Sequence, residues 1–211
     1  MIKLSPLNRR RLKNFNSNRR GFYSFWIFIL LLILSLFADF IANDKPLIIK
    51  YENKILFPIF KTYQETYFNG DFETEADYRD PYVKNLINEK GWMVWPIIPY
   101  SFDTIIRDLE VPVPSPPSAK NWLGTDDQAR DVLARLIYGF RISVLFGLTL
   151  TFFSMIFGVT AGAIQGYFGG NIDLIFQRFM EIWSAIPTLY VLIILASVVQ
   201  PNFWWLLLIL L

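Results

Sequence analysis

Apolar residues in this chain are gathered into long uninterrupted runs. The longest, from residue 142 to residue 168, contains no charged side chain, and Gln165 is its most polar member. A helix needs about 20 such residues to cross about 30 Å of hydrocarbon, so this run predicts a transmembrane helix over 141–168. Two other runs predict transmembrane helices over 22–42 and 182–199, and a last one over 203–211 predicts the start of a fourth.

Small residues recur every three or four positions along the helix predicted over 141–168, which keeps them on one helical face. In lipid, apolar helices associate where small side chains let their backbones approach closely. Glycine and serine are also common in membrane helices generally, but a face sustained along a whole span favours packing against another helix. The face is Ser143, Gly147, Thr151, Ser154, Gly158, Gly162 and Gly166, and the predicted packing residues are Gly147, Ser154, Gly158, Gly162 and Gly166.

Residues 43–140 are rich in acidic and aromatic side chains and have no long apolar run, which predicts a loop-rich extracytoplasmic insertion. Short strand-like runs lie at 47–51 and 55–60, and a helix is expected at 80–89. The proline-rich stretch at 111–117 can continue neither a helix nor a central strand, so we expect an extended spacer there.

An amphipathic helix is predicted over 126–138, at the end of this insertion. Thr125 and Gln128 are spaced as a capping box, which marks a helix start. Asp131 and Arg135 are spaced to pair across one turn, and Gly139 stands where a helix commonly stops. The pattern predicts a short helix lying at the outer membrane interface.

The charges favour one orientation in the membrane. Residues 1–21 carry seven basic side chains and no acidic one, and such segments stay in the cytoplasm. A basic segment next to a membrane helix fits contact with membrane lipid, and we expect no nucleic acid partner. The same orientation makes 169–181 a cytoplasmic loop, and Pro187 should kink the following span.

The amino-acid composition indicates the class of protein. The chain is 54% hydrophobic with 20 Phe and 7 Trp, too apolar for a soluble domain of 211 residues. It has no Cys and no His, which excludes disulfides, thiolate catalysis, His-ligated metals and Ser-His-Asp arrangements. There is also no phosphate-binding Gly-xxxx-Gly-Lys-Ser/Thr loop. We therefore expect an all-α polytopic membrane protein, a transmembrane helix bundle with no catalytic residues, metal or cofactor of its own.

Two groups of motifs resemble the dipeptide and oligopeptide permeases of ABC importers, specifically the second permease subunit of the pair. One group runs from Trp122 to Arg141, and the other from Gly166 to Pro187. One departure is Ala129, where that family usually has glycine. The signature residues are Gly124, Thr125, Asp126, Arg130, Asp131, Arg135, Gly139, Arg141, Gly166, Gly170, Asp173, Arg178, Glu181 and Pro187.

The resemblance implies an inner-membrane subunit that forms half of a translocation channel. Its partners would be a second permease subunit, two ATP-binding cassette domains, an extracytoplasmic peptide-binding protein and a peptide substrate. Other runs, including 200–205, resemble one branch of the family whose importers also take up peptide antibiotics such as microcin C.

Nine residues over 203–211 cannot cross a bilayer, so we expect an N-terminal fragment of a longer permease, without the ATPase-coupling loop. The alternative reading is a membrane-anchored extracytoplasmic binding or structural module, whose function resides in the insertion. A simple anchor would not need a small-residue face on a second helix, which favours the permease.

Overall fold

The computed structural model describes residues 5–109, 111–200 and 202–211. Lys3 and Leu4 of the basic segment, and Pro201 of a turn expected before the fourth span, lie outside the described residues. The chain divides into two compact units, Met1–Arg141 and Ile142–Leu211. The fold is mostly helical, and its apolar helices agree with a membrane protein.

The first unit begins with a helix that the sequence analysis did not predict. The basic segment forms α1, Pro6–Ser17, with Ser5 as its N-cap residue. The apolar run follows as α2, Arg19–Leu36, and a short α3, Ala38–Ile41. The span predicted over 22–42 is thus interrupted at Phe37.

The insertion contains a small antiparallel sheet, so the all-α class does not hold for this region. The strands are β1, Ile48–Tyr51, β2, Lys54–Leu56, and β3, Gly91–Val94, in the order β2-β1-β3. Alternate residues of β1, Ile49 and Tyr51, are buried, which is the pattern of a sheet with one solvated face. A strand was expected up to residue 60, but the chain leaves β2 after Leu56 and turns.

The buried face of the sheet closes one hydrophobic core of the insertion. A short 3₁₀-helix, Glu65–Phe68, and α4, Pro81–Lys90, complete it. The helix expected over 80–89 is confirmed, and the side chain of Asp80 accepts a hydrogen bond from Tyr82 N at 2.7 Å. This core consists of Ile49, Tyr51, Leu56, Phe68, Ala76, Tyr78, Val83 and Ile87.

A second core of the first unit lies where the insertion meets the membrane helices. It joins α3 to the loop after β3 and to the first turns of the next helix. Its members are Ala38, Ala42, Ile98, Tyr100, Ile106, Ala134 and Tyr138.

The long apolar run forms α5, Val132–Phe168, a single helix of 37 residues. The prediction of a separate amphipathic helix over 126–138 is wrong. The helix begins at Val132 and continues through Gly139. One glycine costs a helix only about 1 kcal/mol, and at the membrane the backbone must keep its hydrogen bonds within the helix. At about 1.5 Å per residue, α5 is longer than a bilayer requires.

The second unit continues from α5 with α6, Gly170–Ala185, α7, Thr188–Val198, and α8, Phe203–Leu210. The segment predicted as a loop, 169–181, is therefore helical after Gly169. Pro187 ends the regular hydrogen bonding, and the axes of α6 and α7 differ by 70°. The kink predicted at Pro187 is confirmed, but the helical run already begins at Gly170, so residues 182–199 belong to a bent pair of helices. Among the described residues, α2 and α5 are long and apolar enough to cross a membrane, and the bent pair could form a third span.

Candidate functional site at the outer junction

The first group of signature residues folds into a polar junction between the insertion and the membrane helices. We call it the outer junction and define it as the segment 121–141 together with Asp39 and Ser115. Most of its polar side chains are buried or half-buried. Its geometry differs from the helix predicted over 126–138, since residues 124–131 form a folded loop that precedes α5.

Gly124 and Thr125 hold the end of the proline-rich stretch. Gly124 has φ +73°, and a Cβ at this position would lie 2.3 Å from the carbonyl oxygen of Ser115. Thr125 Oγ1 accepts a hydrogen bond from Ser115 N at 2.9 Å, and Thr125 N donates to Ser115 O at 3.1 Å. The capping-box role predicted for Thr125 is therefore wrong, because its hydroxyl is used across the loop.

Asp126 is the centre of a cluster of charged side chains that also contains Arg130 and Arg135. Its side chain accepts hydrogen bonds from the backbone N–H groups of Gln128 and Arg130, both at 2.9 Å. It also pairs with the guanidinium groups of Arg130 and Arg135. Burial raises the pKa of Asp126, but these hydrogen bonds and charges outweigh it and hold the pKa at about 2. Arg135 thus pairs with Asp126, and its predicted ion pair with Asp131 is wrong.

Asp131 begins α5. One oxygen of its buried carboxylate accepts from Ala134 N at 2.8 Å, as an N-cap residue does, and the other accepts from Asn121 Nδ2 at 2.8 Å. The helix cannot start earlier because Ala129 has φ +60°, a left-handed conformation that helical residues do not adopt. A glycine at this position would meet the same backbone requirement without a Cβ.

A third cluster ties the end of the first membrane helix to α5. Arg141 Nη1 lies 2.9 Å from Asp39 Oδ2, and its guanidinium carbon lies 4.8 Å from the centre of the Tyr138 ring. The Tyr138 hydroxyl lies 2.8 Å from both Asp39 Oδ1 and the carbonyl oxygen of Ala42, so either can accept its hydrogen. These contacts connect residues 96 to 102 positions apart in the chain.

Asp39 was not among the predicted site residues. A signal was present, because an acidic side chain at the end of an apolar run needs a cation or hydrogen-bond donors near it. Arg141 stands at the start of the next long apolar run and has the same requirement. Pairing the two by this argument would have predicted the contact.

The second group of signature residues lies in the second unit. Gly166 is near the end of α5, and Gly170, with φ +53°, follows Gly169 at the turn into α6. On α6, Asp173 accepts a hydrogen bond from Gln177 Nε2 at 3.0 Å, and Arg178 Nη1 lies 2.6 Å from Glu181 Oε2. Pro187 separates α6 from α7. These side-chain contacts join residues three or four positions apart on one helix.

The small-residue face of α5 is open in this chain. A Cβ built on Gly147, Gly158, Gly162 or Gly166 meets no heavy atom within 4 Å in the described residues. The Thr151 hydroxyl donates to the carbonyl oxygen of Gly147 at 2.7 Å, which leaves it turned back onto its own helix. The packing role of this face, including Ser154, stays a prediction.

Comparison with known proteins gives relatives over nearly the whole chain. No family model matches. The Escherichia coli protein named inner membrane ABC transporter permease protein YejE is 53% identical over 207 residues, which cover 98% of this chain and 61% of that protein. The Agrobacterium fabrum protein named peptidoglycan transport system permease protein YejE is 49% identical over 227 residues, with 96% and 59% covered.

The predicted resemblance to the peptide permeases of ABC importers is confirmed. The dipeptide transport system permease protein DppC of Haemophilus influenzae is 46% identical over 80 residues, which cover 38% of this chain and 27% of that protein. The sequence runs outside the two motif groups, including 200–205, predicted a resemblance to one branch of these permeases, and that branch is YejE. The predicted location in a bacterial inner membrane agrees with the name of the Escherichia coli relative and with the apolar helices α2 and α5. The chain spans about 60% of the length of the two YejE proteins.

Proposed function

We propose that this protein is a permease subunit of an ABC importer and contributes half of a channel that carries peptides across the inner membrane. The observation that supports this most directly is the 53% identity to YejE over 98% of the chain. The relatives named for dipeptide, oligopeptide and peptidoglycan transport suggest the substrate class of short peptides, including those released from peptidoglycan.

The subunit would work with a second permease, two ATP-binding cassette domains and an extracytoplasmic peptide-binding protein. Hydrolysis of ATP would belong to the cassette domains, and this chain would perform no chemistry. In this arrangement, residues 1–21 and the α6 region face the cytoplasm, and the insertion faces the opposite side.

The open face of α5 would pack against another helix of the channel. Gly158 and Gly162 lie one turn apart on this face, and any larger side chain there would hold a neighbouring helix away. The apolar helices α5, α7 and α8 would then form part of a transmembrane bundle, with the bend at Pro187 next to the translocation path.

Peptide uptake in cells tests this function. A strain that lacks its own copy of the subunit is supplied with the partner subunits and with a permease of full YejE length that contains this sequence, and uptake of a labelled tripeptide is measured. Gly158→Leu and Gly162→Leu should each lower both uptake and the amount of second permease that co-purifies. Val159→Leu is the matched control, because Val159 is next to Gly158, lies off the small-residue face and is already large and exposed. Normal assembly and uptake in both glycine variants would contradict the packing role.

The alternative, a membrane-anchored binding module, has one observation in its favour. The first unit contains a cavity of about 340 Å³ whose lining includes Tyr100, Lys120, Trp122 and Leu133. In that case the protein would bind a ligand without any second permease, and the glycine variants would leave binding unchanged. The uptake experiment therefore separates the two functions.

A further inference from the structure

Four exposed phenylalanine residues, three of them in ring contact, lie beside the outer end of the first membrane helix. We call Phe37, Phe40, Phe57 and Phe60 the aromatic patch. The ring centres of Phe37 and Phe40 are 6.1 Å apart, and those of Phe40 and Phe60 are 5.9 Å apart. Phe57 and Phe60 belong to one turn, closed by a hydrogen bond from Phe60 N to Phe57 O at 3.1 Å. Phe60 is 74% exposed, although it belongs to the folded insertion.

The position of Phe40 in α3, just after α2, limits the depth of this patch. Arg19 and Arg20 begin α2 and stay at the inner membrane surface, because charged side chains do not enter hydrocarbon without partners. Phe40 follows Arg20 by 20 positions, a rise of at most about 30 Å at 1.5 Å per residue. Because the hydrocarbon layer is also about 30 Å thick, Phe40 lies at or inside its outer boundary. Phe60, in contact with Phe40, lies at nearly the same depth.

The chemistry of the patch fits hydrocarbon better than water or the head-group region. Phenylalanine has no polar atom on its ring, unlike the tyrosine and tryptophan that are enriched at head-group level. Lys61, the next residue after the patch, is exposed and carries a charge that lipid phosphate can bind. The patch is also continuous with α2, whose apolar side chains are exposed along most of the helix, including Ile33, Leu34 and Leu36.

We propose that the aromatic patch anchors the extracytoplasmic insertion in the outer leaflet of the lipid bilayer, with Phe57 and Phe60 inserted among the acyl chains. The insertion is then held at two places: at the outer junction by polar contacts with α3 and α5, and at the aromatic patch by lipid. This proposal rests on the membrane location of α2 and is independent of the transported substrate.

Fluorescence quenching tests the proposal. The chain has no cysteine, so Phe60→Cys can be labelled with a single environment-sensitive fluorophore in the full chain. The labelled protein is placed in phosphatidylcholine nanodiscs, with or without bromine atoms on the lipid acyl chains. Phe72→Cys is the control: Phe72 is 64% exposed in the same insertion, but it stands between Asp71 and Glu73, whose charges keep it in water. Brominated lipid should remove most of the emission at position 60 and leave position 72 unchanged, whereas iodide in the buffer should quench only position 72.

Two results would overturn the proposal. Quenching of position 60 by iodide, to the extent seen at position 72, would place the patch in water. Protection of position 60 from both quenchers would mean that protein covers the patch. Phe57→Cys repeats the measurement from the other end of the same turn, so that a folding defect of one variant does not decide the result.

Discussion

The two groups of signature residues differ in where their side chains find partners. In the outer junction, Asp126 and Asp131 each accept several hydrogen bonds. Asp39 pairs with Arg141, which is 102 positions away in the sequence. On α6, the pair of Arg178 and Glu181 joins neighbouring turns of one helix, and both side chains are more than half exposed. The first group therefore stabilises the outer junction, whereas Arg178 and Glu181 of the second group are exposed.

This difference bears on what each group does. Buried carboxylates with several hydrogen bonds fix a backbone conformation, and removing one partner leaves a costly unpaired group. An exposed pair three residues apart on a helix contributes little to stability. Substitutions in the outer junction should therefore destabilise the junction, whereas those on α6 should leave the stability of the folded chain unchanged.

The largest effect is expected from Gly124→Ala. The left-handed φ of Gly124 costs an L-residue about 1–2 kcal/mol, and the clash of the new Cβ with Ser115 O adds about 1–3 kcal/mol. The free energy of unfolding of the first unit, measured in detergent by denaturant titration with tryptophan fluorescence, should fall by about 3 kcal/mol.

Gly139→Ala is the control for this substitution. Gly139 lies inside α5, and a Cβ there meets nothing within 4 Å among the described residues. Alanine in a helix is more favourable than glycine by about 1 kcal/mol, so this variant should be as stable as the parent or slightly more stable. Equal losses in the two variants would mean that the contact with Ser115 is not what requires glycine at position 124.

Acid should weaken the outer junction through Asp126. Its pKa is about 2 in the folded protein, below the ordinary 3.8. A lowered pKa contributes stability that is fully present above about pH 4 and is lost as the pH falls toward 2, by at most about 2 kcal/mol. Unfolding measured from pH 5 to pH 2 should show this loss, and Asp126→Asn should be less stable at pH 5 but lose less on acidification. An unchanged pH profile in that variant would assign the acid sensitivity to other carboxylates.

Double-mutant cycles measure the coupling free energy of one ion pair from each group and so compare the two groups directly. For Asp39→Asn and Arg141→Gln, we expect a coupling of about 1 kcal/mol, since the pair is partly exposed and supported by Tyr138. For Arg178→Gln and Glu181→Gln on α6, we expect a coupling near zero, although their charged atoms are closer together, at 2.6 Å. A coupling on α6 as large as that of Asp39 and Arg141 would remove the distinction between the groups.

The features that could be predicted from the sequence depend on local pattern. Apolar runs predict α2 and α5 because length and composition alone decide whether a helix can cross lipid. The start of α5 was misplaced because Thr125 and Gln128 match a capping box, while the competing contact between Thr125 and Ser115 is ten residues distant. The strand-like runs predicted at 47–51 and 55–60 correspond to β1 and β2, but β3 was missed. It pairs with β1 from about 40 residues away, and a strand of four residues gives a weak pattern.

The smallest effect is expected from Ala129→Gly. Ala129 adopts φ +60° at the turn before α5, and its N–H donates to the carbonyl oxygen of Asp126 at 3.1 Å. Glycine adopts this conformation without a Cβ penalty of about 1–2 kcal/mol, but it also gives the unfolded chain more freedom. Ala129→Gly should therefore raise the free energy of unfolding by about 0.5–1 kcal/mol, the opposite sign from Gly124→Ala. Ala134→Gly, inside the first turns of α5, is the control and should destabilise, because glycine is the poorer residue in a helix. A loss of stability in Ala129→Gly would mean that the left-handed conformation at position 129 is not adopted in solution.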